Sequence, residues 1–448
     1  AWRLVRPLPF ELAVFPHRLF KWLRLPVVSY ALPALIAIGQ VGYAHRKPCN
    51  PLVRTIRRLS VAKTLRVLGT LQPENGGFLE AAPLTAFVVM SLAAARHCEH
   101  RVVAQGVEFL VASIREDGSW PIDTNLATWG TTLSIDALSA GGIEKTLSGS
   151  EQQGLLDWLL SCQYRSVHPY TQAAPGGWAW TNLPGAVPDA DDTAGALVAL
   201  HELSHIGPIG PMGLIPSVRA GIEWLLGLQN ADGGIPTFCR GWTNLPFDKS
   251  AADLTAHALA AMSLWLPRLP EPLKNRTERA VRRALRYLQE VQRPDGSWSP
   301  LWFGNQSAAN QENPVYGTSR ALKHLATCRS GIGRIEPMEP MCERAVQWLL
   351  SAQNADGGWG GAASVASSIE ETALAVDALA AASSNSPAAA EAIHRGAQWL
   401  IANTNRGTSL GPSPIGLYFA SLWYFEELYP LVFTLCALHR VSRLALPR

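Results

Sequence analysis

The chain has 448 residues, 48% of them hydrophobic and 16% charged, with a formal net charge of +3. That length and apolar content suit two or three domains or one large helical architecture, and the near-neutral balance, with no basic run among aromatics, excludes nucleic acid as the main partner. Seven cysteines lie scattered without a CxxC pair, which predicts reduced core thiols in a cytosolic compartment, whereas sixteen tryptophans point to a repeat signature or an aromatic-lined cavity.

The N-terminus carries neither an initiator Met nor a signal-peptide pattern. The run from Pro26 to Gly39 is apolar but interrupted by Pro33, and it falls short of the roughly 20 residues that span a bilayer. It predicts a buried or membrane-dipping helix. A turn follows at "LGTLQPENGGF" (Leu68 to Phe78), then an apolar helix at "PLTAFVVMSLAAA" (Pro83 to Ala95). Residues 1–99 are thus expected to form part of an α/α barrel with a membrane-facing segment. An incomplete barrel leaves apolar faces uncovered, so N-terminal sequence is expected to be missing, or to come from a second chain.

From about Arg101 the chain repeats. An amphipathic helix ends in an aromatic-Leu pair, then a turn carries Asp/Asn-Gly and usually Trp. The copies are "FLVASIREDGSW" (from Phe109), "WLLSCQ" to "GGWAW" (from Trp158), "WLLGLQNADGGI" (from Trp224), "YLQEVQRPDGSW" (from Tyr287) and "WLLSAQNADGGW" (from Trp348). Gly118, Gly177, Gly233, Gly296 and Gly357 recur at a period of about 60 residues, which signals a repeat architecture. A degenerate copy is "WLIANTNRG" (from Trp399).

After each turn comes a second helix rich in Ala, Gly and Thr, starting near Leu126, Asp189, Ser250, Pro314, Ser368 and Leu428. These are apolar nearly all round and therefore inner; the preceding helices carry Arg, Glu and Gln on one face and are outer. Six outer and six inner helices make residues 100–448 an (α/α)6 barrel, an all-α fold. Linkers from Ser204, Cys328 and Ala382 carry Gly, Pro and Ser.

One inner helix opens "PDADDTAGALVAL", with Asp189, Asp191 and Asp192 crowded together. Capping accounts for some of these acids. The first N–H groups of a helix need acceptors, and Asp189-x-x-Asp192, Ser250-x-x-Asp253 and Ser368-x-x-Glu371 all have capping-box spacing. Asp191 is not needed for that box. Like charges and desolvation both disfavour ionisation, so one member of the cluster is expected to stay protonated at neutral pH. Asp253 and His257, four apart on the next inner helix, share a face, and His257 is placed to hydrogen-bond the cluster.

Three chemistries use an acid in a tryptophan-rich barrel. Glycoside hydrolysis needs many polar groups for sugar hydroxyls, and the inner helices supply few. Zinc-dependent prenyl transfer needs a ligand set that the cysteines do not provide. Alkene protonation needs a strong acid, a dry cavity and aromatic faces to stabilise carbocations, at about 2 kcal/mol per desolvated ring.

These motifs resemble the squalene-hopene and oxidosqualene cyclases, the class II terpene cyclases. The turns resemble that family's QW motif, best kept in "QNADGGWG" and "QRPDGSW", and "DADDTA" resembles its D-x-D-D-T-A box. "LPFEL" (from Leu8) resembles an "LPPE" segment that lies well inside the family's complete chain, in keeping with a missing N-terminal third. The resemblance implies Asp191 as proton donor, Asp189 and Asp192 as flanking carboxylates, and His257 and Asp253 as partners. It also implies cavity roles for Trp129, Trp180, Phe238, Trp302, Tyr316 and, placed only roughly, Tyr418 beside Trp423 and Phe425. The departures are Ile235 at a QW tryptophan, extra residues between Trp302 and Tyr316, and an unfamiliar C-terminal segment.

The resulting expectation is a cyclase without metal or cofactor that acts on a linear isoprenoid, squalene first, toward a hopene-type triterpene. It would sit monotopically on the cytoplasmic face of the cell membrane through apolar surface near residues 10 to 60, as a homodimer or with a second chain completing the first barrel. A shorter or diphosphate-bearing prenyl substrate is the alternative and predicts a basic pocket, for which the sequence shows no clustered motif. A non-catalytic, partner-dependent homologue is the other.

Overall fold

A computed structural model describes residues 5, 7–16, 19, 30–169, 171–204, 210–238, 246–332, 338–382 and 386–444, with the side chains of Ser330, Ile332 and Tyr418 excepted. Parts of the Pro26 run and of the three linkers, and Cys239, lie outside the described residues. The helices are α1 (Leu32–His45), α2 (Pro51–Leu71), α3 (Ala82–Ala94), α4 (Arg101–Ala112), α5 (Ala127–Gly141), α6 (Gly149–Ser161), α7 (Ala190–Leu203) and α8 (Pro211–Leu228). They continue with α9 (Ala252–Trp265), α10 (Leu273–Val291), α11 (Pro314–Ile332), α12 (Met338–Ala352), α13 (Ile369–Ala382), α14 (Pro387–Asn403) and α15 (Leu428–Ser442).

α5, α7, α9, α11, α13 and α15 pack in succession, and α15 closes back on α5. Small residues permit that closeness: every residue of α9 is buried, and five of its 14 are Ala. The outer layer shows the opposite pattern. α10 buries Leu273, Thr277, Ala280, Val281, Ala284, Leu285 and Leu288 at helical spacing and turns its arginines to solvent.

The repeated turn works as a joint. Gln229 Nε2 donates to Gly233 O at 2.8 Å and to Ala280 O on the next outer helix at 3.0 Å. Gln163, Gln292 and Gln353 bridge their own turns to the following outer helix in the same way. The turn tryptophans Trp178, Trp298 and Trp359 are fully buried and donate Nε1 to a leucine carbonyl of the preceding helix. The turn needs a left-handed residue, and in the second copy this is Gly176 (φ +117°), not Gly177 as the spacing had placed it.

The first of the expected outer helices makes its main contacts with the N-terminal elements. α4 packs on α3 and α2, not on the ring, because Val102 and Val103 join a separate apolar core with Leu68, Val88 and Leu92. Into that same core reach Val187 and Phe238 from loops of the ring. The three strands β1 (Phe303–Gly304), β2 (Ile415–Leu417) and β3 (Leu422–Tyr424) form a small antiparallel sheet in that order, pairing Phe303 with Leu417 and Ile415 with Tyr424. Among the described residues no helix is long and apolar enough to cross a membrane.

Candidate active site

Asp189 caps α7. Its Oδ1 accepts from the N–H groups of Asp191 and Asp192, each at 2.9 Å. Backbone bonds to Trp178 O and Thr237 O tie the residues at this cap to two neighbouring turns. With Asp189 fixed, the helix sets the direction of the other two carboxyls. Ser368 caps α13 through Glu371 N at 3.2 Å. The third expected box is not formed. Ser250 bonds Asn230 and Asp232 of the turn, α9 begins at Ala251 without a side-chain cap, and buried Asp253 Oδ1 has no hydrogen-bond partner among the described residues.

Asp191 Oδ1 lies 2.5 Å from His257 Nδ1 of α9. His257 stacks in turn on His324 of α11, centroids 4.2 Å apart and planes 15° from parallel. Burial alone would raise the Asp191 carboxyl, but the charge of His257, its hydrogen bond and the Arg320 guanidinium outweigh burial and hold it below the ordinary carboxylate value. Burial pulls His257 down, against the charge and hydrogen bond of Asp191, which favour its protonated form.

The carboxyls shifted toward the protonated form are the neighbours of Asp191, in keeping with the expectation that one member of the cluster holds its proton. Asp189 is pushed up to about 7 by burial, with Asp191's charge adding to it. Asp192 is raised well above its ordinary value by burial and by Asp189, Asp191 and Asp123. Asp253 rises to about 7, again through burial and then Asp191.

A cavity of about 340 Å³ opens from these acids. Its walls are Trp129, Trp180, Phe238 and Trp302 from the ring side, and Tyr30, Ala34, Pro83 and Leu84 from the N-terminal elements. The rings contact one another: Phe238 lies 5.0 Å from Tyr30, 5.5 Å from Phe247 and 6.4 Å from Trp302. Tyr316 sits one layer back, packed on Phe303 at 4.6 Å. Tyr418 opens a single helical turn after β2, and its side chain is outside the described residues. From the C-terminal segment the cavity takes Tyr424, Glu426 and Tyr429, not the roughly placed Trp423 and Phe425. Tyr429 accepts from Trp129 Nε1 at 2.8 Å.

Sequence reasoning missed Tyr30, Phe247, Asp123, Tyr429 and Arg320. Only Arg320 carried a signal: with Lys323 and His324 it puts three basic side chains on an otherwise small-residue inner helix. The fold gathers these with Arg440 and Arg443 around a second cavity of about 360 Å³ on the far side of His257, a grouping that no clustered motif in the sequence announces.

The Squalene-hopene cyclase C-terminal domain family model matches residues 125–443. A terpene cyclase-glycosyl transferase fusion protein, fsoA of Humicola fuscoatra, is 30% identical over 418 residues, which is 82% of this chain and 29% of that protein. A squalene–hopene cyclase of Bradyrhizobium diazoefficiens is 30% identical over 333 residues, 68% of this chain and 46% of that one. The chain thus spans less than half the length of these two relatives. Among solved structures, ent-copalyl diphosphate synthase from Streptomyces platensis superposes with a TM-score of 0.56 at 18% identity, covering 92% of this chain and 87% of that one, a likeness of fold.

Proposed function

This chain belongs to the squalene-hopene cyclase family, and from that premise we propose that it is a class II terpene cyclase whose acid is Asp191. The observation that carries this is the placement of the Asp191–His257 pair at the end of an aromatic cavity. The O–H bond of Asp191 breaks as a C–H bond forms at the less substituted carbon of the terminal alkene of a linear isoprenoid, leaving a tertiary cation at the other. Successive alkenes of the folded chain then attack it, and quenching of the last cation returns the proton.

The geometry supports each step. A carboxylic acid whose anion is stabilised by His257 and Arg320 is a strong acid, which an alkene requires. An isoprenoid filling the cavity removes water from Asp191 and favours its loaded, neutral form. Trp129, Trp180, Phe238 and Trp302 offer faces to the cations, at about 2 kcal/mol per desolvated ring.

Squalene, leading to a hopene-type triterpene, is the substrate we propose. The charged residues lining this cavity among those described are all acids, Asp123, Asp189, Asp191, Asp192 and Glu426. They offer no cation to pair with a diphosphate, which leaves a hydrocarbon as the better match. Such a substrate resides in lipid, and α2 exposes Leu52, Ile56 and Leu59 along one face at 67%, 46% and 64%. We propose that this face docks on the cytoplasmic surface of the cell membrane, to be checked by vesicle flotation of wild type against a triple Ser variant.

The functional test is incubation with squalene in detergent and identification of products by mass. Cyclised products that vanish in Asp191→Asn are expected. No cyclisation by the wild type, or unchanged products from the variant, would sink the proposal.

A further inference from the structure

The second cavity holds none of the isoprenoid, and meets the chemistry above only through His257 and the charge of Arg320. It occupies the opposite end of the ring, bounded by Asp136 of α5, His201 and Glu202 of α7, Leu264 of α9, Arg320 of α11 and Arg440 of α15. Trp129 and His257 separate it from the aromatic cavity: Trp129 borders both, and the imidazole of His257 faces it from behind Asp191.

Most of its cations have work. Lys323 Nζ sits 2.6 Å from both Asp136 and Asp377, and Arg440 Nε 2.5 Å from Asp377. Arg440 and Arg443 lie at or just past the last turn of α15, where positive charge suits the exposed carbonyls. Arg320 fits none of these roles. It stands two turns into α11, far from the helix end, and is only 4% exposed. Among the described residues its guanidinium makes no hydrogen bond and no ion pair; it lies 5.9 Å from the centroid of the Trp129 ring. Beside it His324 Nε2 is buried without a hydrogen-bond partner.

A buried guanidinium carries five donors and a full charge, and leaving it unmatched costs several kcal/mol. The carboxylates nearest to hand, Asp136 and Asp377, are already taken by Lys323 and Arg440. The free lining of this cavity is therefore a net donor surface opening on a space large enough for several non-hydrogen atoms.

We propose that this cavity is a binding site for a small inorganic oxyanion, of the phosphate or diphosphate class, held by Arg320 with His324 beside it. The head group of a prenyl diphosphate does not suit it. In proton-initiated cyclisation the alkene that meets the acid is at the opposite end of the chain from the diphosphate, and Arg320 lies immediately behind that acid. The ligand is thus expected to bind independently of the isoprenoid.

Isothermal titration calorimetry of the full chain with inorganic phosphate and with inorganic diphosphate tests this. The expected result is saturable binding of one anion per chain, weakened about tenfold or more in Arg320→Gln and largely kept in Arg320→Lys, the loss expected for a charge-assisted contact. Binding should persist in the presence of squalene. Should Arg320→Gln fail to fold, crystals of the wild type soaked in tungstate are expected to show an anomalous peak within hydrogen-bond distance of Arg320. No saturable binding by the wild type, equal binding by a folded Arg320→Gln, or a soak with no peak there overturns the site. Competition between squalene and diphosphate, with geranylgeranyl diphosphate binding much tighter than diphosphate alone, overturns the free-anion assignment. None of these outcomes touches the cyclase reading, which rests on products from squalene.

Discussion

The starts of α7 and α13 carry nearly the same words, Asp191-Asp192-Thr193-Ala194 and Glu370-Glu371-Thr372-Ala373, at the same place in the repeat. In both, the threonine hydroxyl accepts from a turn tryptophan N–H, Trp178 at 3.0 Å and Trp359 at 2.9 Å. The acids differ in what they meet. Glu370 takes the N–H of Ser413, and Glu371 takes the amides of Asn305 and Asn313 and the hydroxyl of Ser368. Asp191 meets an imidazole, while Asp189 Oδ2 and Asp192 Oδ1 find no hydrogen bond among the described residues. Neutral donors fix a carboxylate in one state. A titratable partner lets a proton move, and that difference separates an acid that holds the barrel together from one that can do chemistry.

The largest test of the contrast is a matched pair of amide substitutions. Asp191→Asn should lower turnover by about 10²–10⁴-fold, the range for a positioned acid, with little change in melting temperature. Glu370→Gln, the same substitution at the same helix position, should leave turnover essentially unchanged. Equal losses from both would erase the distinction. Next comes the partner itself. Removing the hydrogen bond in His257→Ala forfeits about 1.5–3 kcal/mol of stabilisation of the Asp191 anion, or roughly 10- to 150-fold in turnover. An unaffected rate would mean that His257 is only packing.

The same contrast shows what a sequence can and cannot reveal here. The ring was legible because its period is set by local chemistry: a glycine that must be left-handed, a Gln bridging to the next helix, a buried Trp. Asp191 stood out because a cap has no use for it. What was hidden is what arises only when distant segments meet: the basic cavity joins Arg320 to Arg440 from helices with no shared motif. Ser250 has the spacing of a cap and serves a turn, because Asn230 and Asp232 reach it first. α4 has an outer helix's pattern, yet amphipathicity does not say against which core a face will be buried.

A stability measurement probes the other half of the comparison. Glu371→Ala leaves the amides of Asn305 and Asn313 without their acceptor, and each orphaned buried group costs about 1–3 kcal/mol. Asp192→Asn at neutral pH replaces a protonated acid with its near-isostere and should change stability far less. Urea unfolding of the two variants would decide this; a larger loss from Asp192→Asn would show that its carboxylate is a structural anion after all.

The smallest effect is in pH dependence, and its sign follows from proton counting. Asp189 and Asp192 bind protons more tightly folded than unfolded: Asp189 rises to about 7 and Asp192 well above its ordinary value, against about 3.9 for a free aspartate. Below about pH 4 both states are protonated and the pair imposes no penalty. Between there and the folded value the native state holds more protons, so stability falls as pH rises. Asp253 and Asp123 act in the same direction and remain in every variant. The difference between proteins therefore isolates the pair. Melting temperature followed from pH 4 to 8 should decline less steeply in Asp192→Asn than in wild type, because the variant has no proton to lose there and relieves Asp189 of a like charge. Parallel curves would mean that the carboxyls at the start of α7 do not change their protonation between the folded and the unfolded chain over this range.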